Sequence, residues 1–180
     1  MDEVERGNWA GAVCNGDFFS IETYSGFRGG SHADFRVPEY RSAFDAADEQ
    51  LGQAVINALS KSRWVLGVPR AGSVYPPELE FDKELYDNNL SAERYKKWVA
   101  EIMTAYGYKT RRALFQKFNL CRIEKYNNDI KFVPYHHEKL EAWGREKNDG
   151  IEDVIIPADS TPAEIGATLR LAFSRCTSSV

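Results

Sequence analysis

Apolar side chains recur along this chain with two periods, and the switches between them mark out its elements. Trp9 to Cys14 and Asp17 to Tyr24 are apolar or alternating runs on either side of Asn15-Gly16. That pair most favours the positive φ angles of a type I′ turn, so a β-hairpin is predicted here. Ser25 to Ser31, with Gly26, Gly29 and Gly30 around Arg28, reads as a flexible loop. GFRGGS matches neither the phosphate-binding P-loop nor the dinucleotide pattern, and glycine serves turns far more often than ligands. From about Asp45 to Ser62 the positions Phe44, Ala47, Leu51, Ala54, Val55, Ala58 and Leu59 share one helical face, with Lys61 and Arg63 near the C-terminal end where cations are favoured. Trp64 to Val68 reads as a short buried strand ended by Pro69. Residues 69–90 read as loop passing into a short acidic helix.

The clearest helix runs from Ser91 as N-cap to Gly107 at its C-terminal end. Tyr95, Trp98, Val99, Ile102, Met103 and Tyr106 follow the i, i+3, i+4 rule and predict a core-facing stripe. A short helical piece is expected around Arg111 to Phe118. A second hairpin follows, Leu120 to Tyr126 with Ile130 to Tyr135, turning at Asn127-Asn128-Asp129. Glu138 to Trp143 reads as one helical turn, Gly144 to Gly150 as a polar loop and Val154 to Ile156 as a small buried strand. Thr161-Pro162-Ala163-Glu164 opens the last helix with a capping box and a first-turn proline. Its inward face is Ile165, Leu169, Ala172, Phe173 and Cys176, and residues 177–180 are expected to fray. These elements predict an α+β fold: a mostly antiparallel or mixed central sheet flanked by about three main helices. No repeat or linker interrupts 1–180, which reads as a single domain.

Charge and cysteine content narrow the function. Net charge is −6 over residues 1–60, +4 over 61–120 and −2 over 121–180. The acidic ends argue against general nucleic-acid binding, which needs a net basic face. Cys14, Cys121 and Cys176 are odd in number and far apart, and read as buried thiols of a reducing cytoplasm. The acidic start lacks the apolar core of a secretory signal, and no apolar run is long enough to span a bilayer, so a soluble cytoplasmic protein with no membrane role is expected.

The search for chemistry finds no convergent set. His136-His137 could serve as base or zinc ligand, but neighbours on an extended segment face opposite ways. Cys121 could pair with His136 as a nucleophile, yet it sits between apolar residues and is expected to face the core. Glu152-Asp153, with His136, leaves open a metal-dependent nuclease. Lys109, Arg111, Arg112 and Lys117 leave open a nucleic-acid-binding regulator, although they follow a helix C-terminus that favours cations anyway. No cofactor or metal is called for. The strongest binding candidate is ELEFDKELYD at 78–87: Glu78, Glu80, Asp82, Glu84 and Asp87 interleaved with Phe81 and Tyr86. An acidic patch with aromatic anchors has the composition of a surface that plugs a basic cleft.

From Tyr106 to the C-terminus, the segments AYGYKTRRALFQKFNLCRIE, PYHHEKLEAWG and IIPADSTPAEIGATLRLAFSRC resemble the immunity proteins of bacterial contact-dependent growth inhibition (CDI) systems. The resemblance implies a non-enzymatic inhibitor that binds the C-terminal toxin domain of a CDI exoprotein, delivered by a neighbouring cell. Many such toxins are nucleases, often cutting transfer RNA. It assigns no binding residue.

Overall fold

Two hairpins organise the structure, a computed structural model that describes residues 5–180. The first joins β1 (Asn8–Cys14) to β2 (Phe18–Phe27), followed by β3 (Gly30–Ala33) and β4 (Tyr40–Ala43). Next come α1 (Asp48–Ser60), β5 (Val65–Leu66), β6 (Glu80–Phe81), a 3-10 turn at Glu84–Tyr86, α2 (Asn88–Tyr106) and α3 (Arg111–Phe115). The second hairpin is β7 (Asn119–Tyr126) with β8 (Asp129–Pro134). Then follow β9 (His136–Lys139), β10 (Ala142–Gly144), β11 (Val154–Pro157), α4 (Pro162–Ser174) and β12 (Thr177–Ser178).

The main sheet has seven strands in the order β11-β8-β7-β1-β2-β3, with β4 also paired to β2, and its pairings are all antiparallel. Two small sheets flank it: β10-β9-β12, with β12 parallel to β9, and the parallel pair β5-β6. With three long helices this is the expected α+β architecture. No described helix is long and apolar enough to cross a membrane.

Alternation sends one set of strand residues to each face of the main sheet. One face carries Ala10, Ala12, Ile21, Cys121, Ile123 and Phe132 against α1 and α4. The two helices meet through glycines, since a Cβ on Gly52 would stand 1.7 Å from the Pro162 carbonyl oxygen and one on Gly166 1.8 Å from that of Asp48. Only residues without side chains allow that approach. Thr161 caps α4 in a full capping box with Glu164, and Pro162 takes the first turn, as the sequence predicts.

The other face carries an apolar cluster at each end. At one, Phe18 packs with Val99 and Ile102 of α2 and with Leu114, Phe115 and Phe118. At the other, Trp9 packs with Trp64 and Leu79. Between them lie Gly11, Glu22 and Arg122, in register across β2, β1 and β7.

Several expectations are corrected. Cys14 pairs with Phe19, leaving four residues in the first loop, and only Gly16 takes a positive φ, 94°. A type I′ turn needs a positive φ at both central residues and is therefore excluded; Asn15 is instead buried, its amide tied to the Leu114 carbonyl and the Tyr108 hydroxyl. The glycine-rich loop is instead the β2–β3 hairpin, turning at Arg28 and Gly29. Phe44 lies ahead of α1, exposed and stacked on Phe19. The α2 helix starts earlier, capped by Asp87 rather than Ser91, and of its apolar stripe Tyr95 and Tyr106 stay exposed. Val154 to Ile156 forms an edge strand, with Ile155 outward. Glu138 to Trp143 forms β9 and β10 instead of a helical turn. The C-terminal residues pair as β12, where His136 bonds Thr177 Oγ1 at 2.7 Å and Ser179 Oγ at 2.8 Å.

Candidate functional site

The acidic stretch 78–87 is assembled around Arg63, which leaves α1 toward β5. Its guanidinium donates to Asp34 Oδ2 at 2.7 Å and Oδ1 at 3.1 Å, to Glu80 at 2.8 Å and to Asp82 at 3.1 Å. Arg36 adds a second cation to Asp82 at 3.2 Å. Burial pushes the Asp34 carboxyl up, but hydrogen bonds from Arg63, Ser25 and the Arg36 N–H outweigh it and hold it below the ordinary carboxylate range. Hydrogen bonding to Asp34 in turn raises Arg63.

This network divides the candidate residues. Asp82 is buried, and its other oxygen accepts the Glu84 N–H at 3.1 Å, so it holds the 3-10 turn in place. Asp87 accepts the Asn89 and Leu90 N–H groups at 2.9 and 3.0 Å and caps α2. Tyr86 is half-buried, donating from its hydroxyl to the Val65 carbonyl at 2.7 Å, with its ring against His32. Glu78, Glu80, Phe81 and Glu84 are exposed. Phe81 stands edge-on to Tyr75, at 5.3 Å between centroids. Glu78 and Tyr86 also line a groove of about 1400 Å³ whose walls include Phe27, Trp64, Leu66 and Tyr75 together with Arg28 and Arg70. The structure therefore brings exposed acids and an aromatic to one edge beside an apolar groove.

The groups considered for catalysis are occupied internally. His137 is buried, its Nε2 3.0 Å from the Leu140 carbonyl and its ring stacked on Trp143. Burial raises the thiols of Cys121 and Cys14 above the ordinary cysteine range, which leaves them protonated and poor nucleophiles. Arg145 Nη1 bonds Asp153 at 2.9 Å, and Arg175 stands near Glu152. No three metal-ligating side chains among the described residues converge. These contacts do not support the nuclease reading. In the basic cluster, Arg111 is committed to Glu141 through its Nε at 2.6 Å, while Lys109, Arg112 and Lys117 are exposed.

One residue in the middle of the second sheet face has no signal in the sequence. Glu22 is half-buried on β2, and burial, with a smaller push from Glu39, lifts its carboxyl from 4.5 to about 7. In the sequence it is merely one polar position of an alternating strand.

The chain is similar to known proteins along nearly its whole length. The profile of the family described as CdiI, CDI immunity protein, matches residues 8–176. The immunity protein CdiI-YPIII of Yersinia pseudotuberculosis serotype O:3 (strain YPIII) is 44% identical over 176 residues, covering 98% of this chain and 99% of that protein. Among solved structures, the CdiA-CT/CdiI toxin and immunity complex from Yersinia pseudotuberculosis contains a chain with TM-score 0.90 and 43% identity, covering 97% of this chain and 100% of that one. A protein of unknown function from Neisseria meningitidis, NMB0488, follows with TM-score 0.78 and 38% identity over 98% of this chain and 99% of that one. Likeness that extends well beyond the C-terminal segments carrying the first resemblance assigns the whole fold: the chain belongs to the CDI immunity protein family, CdiI.

Proposed function

We propose that this protein binds and neutralises the toxin domain at the C-terminus of its cognate CDI exoprotein, acting in the cytoplasm of the cell that makes it, as one domain and without turnover. The observation that carries this reading is the match, at TM-score 0.90, to a chain of a toxin–immunity complex. Inhibition by occlusion needs complementarity over about 1,200–2,000 Å² and a few central anchors, but no reacting group.

The edge formed by Glu78, Glu80, Phe81 and Glu84, with Tyr86 beside them and Asp82 and Asp87 holding the backbone, is the surface we assign to the toxin. It suits a nuclease toxin, such as one cutting transfer RNA, because a cleft that binds phosphate is basic. Complementary charge speeds encounter, and an exposed aromatic beside a groove supplies an anchor.

The double reversal Glu78→Lys with Glu84→Lys tests the surface without touching Asp82 or Asp87. It is expected to weaken toxin binding at least about tenfold and to flatten the loss of affinity with added salt. Phe81→Ala is expected to cost more than ~1 kcal/mol of binding. Unchanged affinity and salt dependence in both variants would place the interface elsewhere.

A further inference from the structure

Glu22 is an uncommitted carboxylate in a fold that commits the others around it. Asp34 and Asp82 are held by Arg63, and Glu39 accepts from Ser20, Arg41 and the Trp98 indole. Among the described residues Glu22 has neither a hydrogen bond nor an ion pair to its carboxylate. The cation nearest in register is Arg122, two strands away across Gly11, but it is turned elsewhere. Its guanidinium sits 5.0 Å from the Tyr24 ring centroid and donates to the Ser31 hydroxyl. The Tyr24 ring lies over Gly11, where a Cβ would stand 2.7 Å from it. The Tyr24 ring therefore fills the floor between Glu22 and Arg122 and keeps the two side chains apart.

Other charged groups do not fill the gap. On the β4 side stand Glu39 and its partner Arg41. Beyond Arg122 lies the closed pair Lys131–Glu124, at 3.0 Å. The α2 group that reaches this corner is the uncharged Trp98. A half-buried carboxylate without a partner is costly, and a cation from outside would offset that cost.

Building on the toxin-binding reading, we propose that Glu22 receives a lysine or arginine side chain of the toxin domain, which seats at the middle of the sheet, beside the Tyr24 ring, between the α2 corner and the Trp9–Trp64 corner. The toxin thereby meets a second acidic point, distinct from the 78–87 edge. Free Glu22 is about half protonated near pH 7, and a bound cation requires it ionised, so binding expels a proton from this site.

The test uses the full chain and the C-terminal toxin domain of its cognate CDI exoprotein, titrated by calorimetry at pH 6 and pH 8. Wild type is expected to bind about tenfold more tightly at pH 8 than at pH 6, the ratio set by a group titrating near 7. Glu22→Gln is expected to lose that pH contribution and to bind at least tenfold more weakly than wild type at pH 8, while Glu22→Asp retains the pH dependence. Glu22→Gln is expected to melt no lower than wild type at pH 8, which separates lost binding from lost folding. Affinity and pH dependence identical in wild type and Glu22→Gln would overturn the proposal and leave the toxin-binding reading standing. No binding by wild type at either pH would overturn both.

Discussion

Arg63 shows how much a single side chain can carry. It is the cation that holds Asp34, whose side chain is fully buried, and it shares Asp82 with Arg36. Arg63→Ala leaves the Asp34 carboxylate buried without a counter-ion, a change that costs about 3–5 kcal/mol. The expected fall in melting temperature is on the order of 10 °C at neutral pH, and a melt within a degree or two of wild type would contradict this role. Because Asp34 is held below its ordinary 3.8, its stabilisation is present above that value and is lost only as the pH drops through its lower folded value. Glu22 runs the other way: its cost is absent below 4.5, grows as the pH climbs, and is fully present above about 7. Neither residue was legible in the sequence. The Arg63 network joins positions 34, 63, 80 and 82 through tertiary contact, which no local period records, and Glu22 differs from other strand carboxylates only by what fails to face it.

At the scale of elements, what could be read followed from local chemistry. The α4 start was legible because Thr161, Pro162 and Glu164 satisfy its N-terminal N–H groups by themselves, and the α2 end because Gly107 adopts φ 71°, a left-handed conformation. The α2 stripe is only half core because periodicity reports a face but not its cover: Val99 and Ile102 meet the sheet, while Tyr95 reaches out to Glu141. The β9–β10–β12 sheet escaped notice because its strands are short and its β12 pairing spans about forty residues of sequence. The α1–α4 contact was equally hidden, since glycine inside a helix reads as a weakness and not as a meeting point. Gly52→Ala or Gly166→Ala inserts a methyl group into the facing backbone and should cost at least ~1–3 kcal/mol, read as a lower denaturation midpoint with unchanged slope. Two fully stable alanine variants would mean that the helices separate freely.

Across the whole molecule, the division of labour follows from how the sheet is covered. One face is closed by α1 and α4 and supplies the larger core, while the second carries the two smaller clusters at its ends. The α+β class, the two hairpins and the three long helices were legible, because each buries a periodic face. The inhibitory role was legible through resemblance. The surface proposed for the toxin was legible only in part: the 78–87 stretch was visible, but which of its acids face outward was decided by Arg63. Inhibition by occlusion also has a stoichiometric signature that catalysis lacks. The most direct measurement is therefore a titration of toxin-domain activity against this protein at concentrations far above Kd. The account predicts a linear decline to zero at one equivalent; an undiminished activity, or complete silencing by a small fraction of an equivalent, would contradict it.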